Sequence, residues 1–168
     1  MSGVAANLRG MSYPEAQYLG DTGEASAVLR PASAPPELDQ RTTLASYLAT
    51  GDSTGGKFGL YRWDFKGPRS GPDAHFHRSI SESFFVLSGT VRLYDGKRWV
   101  DGTPGDFLYV PEGGIHGFRN ESGEPASMLI LFAPGAPRED YFERVATTGE
   151  MSEEERTEFF LRHDTFWV

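Results

Sequence analysis

The sequence predicts an all-β domain, a barrel or sandwich of short strands, and three observations predict it. Short apolar segments recur at even spacing between residues 43 and 134. Within one of them Tyr61, Trp63 and Phe65 alternate with Arg62 and Asp64, the period of a strand with one buried face. Twenty Gly and eleven Pro in 168 residues punctuate the chain as many tight turns require.

Residues 1 to 42 carry no sustained periodicity and include the turn-rich run Pro31-Ala-Ser-Ala-Pro-Pro36. They are expected to form an irregular arm with one short strand near Ala27 to Leu29. Strands are expected over 43–49, 57–65, 83–87, 91–94, 97–100, 107–110 and 126–132, with 74–78 extended. Asp95-Gly96 is the strongest hairpin signal. Pro134 and Gly135 stop the last strand, so 43–134 is the barrel core. Residues 135–168 then form a helical tail of the same domain. Its first helix spans Pro137 to Ala146, with proline where the missing N–H costs nothing. A second helix opens at Ser152, whose Ser152-Glu-Glu-Glu155 run reads as a capping box.

Composition excludes several function classes. The formal net charge is −8, and no basic patch offers itself to phosphates, so nucleic acid is not an expected partner. Glu153, Glu154, Glu155 and Glu158 read as a solvated helix face. With no cysteine there are no disulfides, thiolate ligands or cysteine nucleophiles. No stretch approaches the ~20 apolar residues of a membrane span, and residues 1–17 lack an apolar run of signal-peptide length. The expectation is a cytoplasmic protein.

The chemistry concentrates in few residues. Of four histidines, two form His75-Phe-His77, where strand alternation turns both imidazoles to one face. Glu82 opens the next strand, and His116 follows the turn Pro111-Glu-Gly-Gly114. Three imidazoles and one carboxylate suit one divalent transition metal ion, Fe(II), Mn(II), Ni(II), Co(II), Cu(II) or Zn(II). Four protein ligands leave positions open for water or substrate. A histidine alone in a core strand is usually structural; this grouping reads as a metal site. His163, beside Arg162 and Asp164, reads as a surface or helix-capping residue, and Glu112 as an exposed turn residue.

These residues carry a family resemblance. His75-x-His77-x4-Glu82-x6-Gly89 resembles the first cupin motif, and Gly105-x5-Pro111-x-Gly113-x2-His116-x3-Asn120 matches the second. The first motif usually opens with glycine six residues before its first histidine. Arg69 stands there, with Gly67 and Gly71 nearby to take over the turn. The resemblance implies a jelly roll, the double-stranded β-helix, with His75, His77, Glu82 and His116 as metal ligands. Asn120 is expected to support its loop by bonding backbone.

The family hosts many activities. The resemblance to quercetinase-like dioxygenases implies an O₂-using enzyme of small aromatic, polyphenolic or enolisable diketone substrates, with Glu82 on the metal or acting as base. A non-redox isomerase, cyclase or lyase and a non-catalytic binding protein are the alternatives. Phe84 and Phe118, sharing strand parity with Glu82 and His116, are pocket candidates with Trp63 and Met128. Phe85 and Leu87 then face outward, which fits the homodimers common in the family.

Overall fold

The computed structural model describes residues 13–168. Residues 1–12, the start of the expected arm, lie outside the described residues. Residues 13–31 form a unit of their own that is exposed and without helix or strand. The strand expected near Ala27 to Leu29 is therefore absent. Val28 and Leu29 are 94% and 87% exposed, and the segment has no ladder partner among the described residues.

The second unit, 32–168, carries eleven strands. They are β1 (Leu38–Asp39), β2 (Thr43–Ala49), β3 (Gly59–Phe65), β4 (His75–Phe76), β5 (Ser81–Ser88), β6 (Val91–Tyr94), β7 (Trp99–Gly102), β8 (Phe107–Val110), β9 (Gly117–Arg119), β10 (Ala126–Ala133) and β11 (Phe166–Trp167). Helix α1 (Arg138–Arg144), a 3₁₀ turn (Val145–Glu150) and α2 (Glu153–Arg162) precede β11.

All strand pairs are antiparallel. One sheet runs β1-β2-β3-β10-β5-β8, a second β7-β6-β9, and β11 pairs β4 alone. The two larger sheets enclose the core as a jelly roll, and alternation decides which side chains enter it. Tyr61, Trp63 and Phe65 of β3, Phe84 and Val86 of β5, Val91 and Leu93 of β6, and Met128, Ile130 and Phe132 of β10 are all buried. Register joins the layers: Ile130 lies between Tyr61 and Phe84, and Phe132 lies opposite Glu82.

Local chemistry fixes the connections. Asp95-Gly96 lies at a reversal, but the loop has four residues rather than two. Tyr94 pairs with Trp99, and the Asp95 carboxylate accepts from the backbone of Lys97 and Arg98. The turn that opens the first motif passes to Gly71. Its φ is +127°, and a Cβ there would lie 2.1 Å from the Phe118 carbonyl oxygen. Arg69, with 70% of its side chain exposed, pairs with Glu121 instead.

The first helix is shorter than expected because its chain tightens into the 3₁₀ turn at Val145. The second has the expected capping box: Ser152 and Glu155 each bond the other's backbone N–H. Three strands escape the sequence pattern, β1, β9 and β11, because two or three residues display no period. No helix among the described residues is long and apolar enough to cross a membrane.

Candidate metal centre and its cavity

Four buried side chains meet inside the barrel. His75 opens the short strand β4, His77 follows that strand, Glu82 is the second residue of β5, and His116 precedes β9. Their exposures run from 1% to 4%. One ligand atom from each lies within 4.8 Å of the others. Backbone bonds tie the two histidine segments: His75 and His116 exchange N–H···O=C bonds of 2.9 Å in both directions. The turn below is closed by Gly114 N–H to the Pro111 carbonyl, and Gly113 N–H donates to the His77 carbonyl.

The outward ring nitrogens decide the chemistry of the inward ones. Nδ1 of His75 lies 2.9 Å from the Asp73 carbonyl oxygen, Nδ1 of His77 2.6 Å from that of Asp164, and Nδ1 of His116 2.9 Å from that of Gly114. A carbonyl oxygen only accepts, so each Nδ1 carries its proton. Neutral rings then present Nε2 as a lone pair toward the centre, as metal-ligating histidines do.

The centre itself lacks a positive charge when these rings are neutral. Nε2 of His116 and of His77 lie 2.7 and 3.1 Å from Glu82 Oε2. All three atoms would then hold lone pairs, and two acceptors repel at that distance. A proton or a metal cation between them resolves the conflict. The electrostatics agree. Burial alone would raise the Glu82 carboxyl, but His116 and His77 hold it well below the usual carboxylate range. Burial would lower His116, but the Glu82 charge and hydrogen bond raise it. His75, lowered by burial and by His116 to about 4, stays neutral. The residues present could therefore hold a divalent ion.

A cavity of about 270 Å³ opens onto His75 and Glu82. Its walls are largely aromatic: Trp63 from β3, Phe118 from β9, Phe132 from β10, Phe142 from α1 and Trp167 from β11. Of the four expected pocket residues, Trp63 and Phe118 line this space. Phe84 and Met128 do not; both are fully buried, and Phe84 packs against Phe118 and His116 at ring distances of 5.4 and 5.9 Å. Inward parity is necessary for lining a cavity but not sufficient, since most inward residues pack on one another.

Other wall residues were not singled out by sequence. Phe132 shares inward parity with Ile130, a signal that could have found it. Arg138, Tyr141 and Phe142 lie on α1 and Trp167 near the chain's end, and no local pattern points them at the metal residues. Arg138 is 4% exposed and donates from Nη1 to the His163 carbonyl at 2.7 Å. Three donors in the lining, Trp63 Nε1, Ser70 Oγ and Arg138 Nε, are buried without a hydrogen-bond partner among the described residues.

The tail braces the site from behind. Asp164, at φ +52°, accepts through its carboxylate from the backbone of Arg78 and Ser79 and from the Ser79 hydroxyl. Trp167 pairs with His75 across β4 and β11 and packs on its ring, with centroids 5.2 Å apart. His163 is buried rather than on the surface. It caps the C-terminus of α2, its Nδ1 donating to Phe159 and its Nε2 meeting Asp140 at 2.9 Å, away from the cluster. Asn120, fully buried, bonds Glu124 and Ser122 and so holds its loop as expected.

Comparison with known proteins follows the same lines. The cupin domain family matches residues 62–132. Over 61 residues the chain is 31% identical to quercetin 2,3-dioxygenase of Bacillus subtilis (strain 168). The match takes in 36% of this chain and only 18% of that enzyme's length. Among solved structures, a predicted oxalate decarboxylase from Thermotoga maritima superposes with a TM-score of 0.57 at 19% identity. That likeness covers 64% of this chain and 99% of the other. Ectoine synthase from P. lautus gives 0.56 at 15% identity, covering 70% and 86%. At such identities these structures share the fold. Motif, jelly roll and matched domain agree: residues 62–132 carry a cupin domain.

Proposed function

We propose that this protein is a metal-dependent enzyme that uses O₂ to oxidise a small aromatic or enolisable substrate. The reading rests on one observation: three Nε2 lone pairs and a carboxylate converge beside an aromatic-walled cavity. The ligands are His75, His77, Glu82 and His116. A bound Fe(II), Ni(II), Mn(II), Co(II), Cu(II) or Zn(II) would supply a Lewis acid and a common meeting point for substrate oxygen and O₂.

The chain's own groups supply the rest. Trp63, Phe118 and Phe132 offer flat faces that hold a planar ligand and exclude water from it. Glu82, the one acidic group of the cavity wall among the described residues, is placed to take the proton that an enol or phenol loses on binding. The hydrogen bonds at Nδ1 keep the three rings oriented through this transfer. The sequence match to a quercetin dioxygenase supports the oxidative reading, within its 61 residues.

The decisive experiment is oxygen uptake by protein loaded anaerobically with each metal, against flavonols, diketones and catechols. Substrate-dependent consumption is expected with at least one pairing. Stoichiometric metal binding with no uptake anywhere would overturn the oxidative reading in favour of an isomerase, cyclase or lyase.

We also infer a homodimer. The outer face of β5 and β8 exposes Phe85, Leu87, Phe107 and Tyr109, with Phe85 directly opposite Phe107. Such a contiguous apolar patch marks an interaction surface.

A further inference from the structure

The lining of the cavity has an unusual polarity. Three of its residues hold buried polar atoms without a partner among the described residues: the Arg138 Nε–H and the Trp63 indole N–H, which only donate, and the Ser70 hydroxyl, which donates or accepts. Guanidinium and indole N–H groups donate and never accept. Among the described residues Arg138 is also the only Arg or Lys in the lining. It has five N–H donors, of which one, on Nη1, reaches a carbonyl. Three aromatic faces enclose its charge, Tyr141 at 4.2 Å, Phe132 at 5.1 Å and Phe142 at 5.7 Å. Phe142 also lies 5.1 Å from the Trp63 ring, so the indole and the guanidinium flank one side chain.

A buried cation with unused donors is costly unless a ligand completes it. We propose that Arg138, with Trp63 and Ser70, forms a carboxylate-binding subsite, so that the substrate is a small carboxylic acid with a flat, apolar body. This rests on the reading that the cavity serves the enzyme's substrate. A planar carboxylate matches the fork of a guanidinium, and a charge-assisted bond is about twice as strong as a neutral one. A neutral carbonyl would accept from one donor but leave the guanidinium charge unpaired. A phosphate dianion would bring two charges to a single cation among mostly apolar walls. With its carboxylate at Arg138, the ligand's body occupies the aromatic space that His75 and Glu82 also line.

Benzoate and benzamide, alike in ring and size but not in charge, test the subsite by calorimetry on the full chain, metal-stripped and Zn(II)-loaded. Wild-type protein is expected to bind benzoate about tenfold or more tighter than benzamide in the metal-stripped state. Arg138→Met is expected to abolish the preference while keeping benzamide binding. Equal affinities in wild type, or a preference that survives in Arg138→Met, would overturn the proposal. Because Arg138→Met also loses the bond to His163, a benzoate-soaked wild-type crystal gives a second reading. A carboxylate oxygen within about 3.2 Å of a guanidinium nitrogen of Arg138 is expected; benzoate bound elsewhere would overturn it. The preference without any metal uptake would sink the metal centre and leave the subsite standing. Metal uptake without the preference would do the reverse.

Discussion

His77 donates from Nδ1 to the carbonyl oxygen of Asp164 at 2.6 Å, 87 residues further along the chain. A candidate metal ligand is thus oriented by a residue of the C-terminal tail. The Asp164 carboxylate fixes that carbonyl by accepting from Arg78, Ser79 and the Ser79 hydroxyl. Asp164→Ala removes these acceptors. Metal affinity is expected to fall about 10- to 100-fold, the usual effect of losing an outer partner of a ligand. Chelator competition measures it, and unchanged affinity would show that the tail merely packs there.

The four-residue centre predicts an asymmetry between histidines. His77→Ala is expected to lower metal occupancy sharply in elemental analysis. His163→Ala is expected to keep full occupancy, since its ring bonds Phe159 and Asp140 away from the centre. It should still cost about 1–3 kcal/mol of stability, because a buried ring packed on Phe159 and Tyr141 is lost with its hydrogen bonds. Equal metal loss in both variants would undo the assignment.

Metal should also stabilise the fold. Lone pairs of His77, His116 and Glu82 face one another at 2.7 and 3.1 Å, and a cation relieves them. At a free-ion concentration 100 times Kd, the gain is about 2.7 kcal/mol. A thermal melt of chelator-treated protein is expected to rise on adding Zn(II) or Ni(II) and to fall again with excess chelator. Identical melts would argue that a proton fills the gap.

Gly71 marks the backbone's tightest approach beside the cavity. Gly71→Ala forces a Cβ to 2.1 Å from the Phe118 oxygen at φ +127°. We expect a loss of more than about 1 kcal/mol. Arg69→Ala, at an exposed ion pair, is expected to change stability by less than about 1 kcal/mol. Denaturant unfolding of both variants separates them, and the opposite order would return the turn to Arg69.

The outer patch predicts association through β5 and β8. Light scattering of wild-type protein is expected to give about twice the 18.6 kDa of one chain. Phe107→Lys, which places a charge on a residue 63% exposed, is expected to halve that mass without unfolding the chain. A wild-type mass near 18.6 kDa would rule the dimer out.

Much of this site was legible in the chain itself. Strand alternation turns His75 and His77 to one face, and the spacing to Glu82, Gly89, Gly105 and His116 matches the two cupin motifs. The strands over 43–49, 91–94 and 107–110 follow from apolar runs between turn residues, because period and punctuation are local properties. Phe84 and Met128 show where such locality stops, since parity turns them inward and packing then seals them away from the cavity. Tertiary structure alone brought Arg138, Asp164 and Trp167 to the centre. Arg138 follows the second motif on a helix, Asp164 lies two residues past the end of another, and Trp167 sits in a two-residue strand too short to show a period. Their places are set by backbone pairing with β4 and by burial against the barrel. Those are contacts between distant segments, which no spacing along the chain can express.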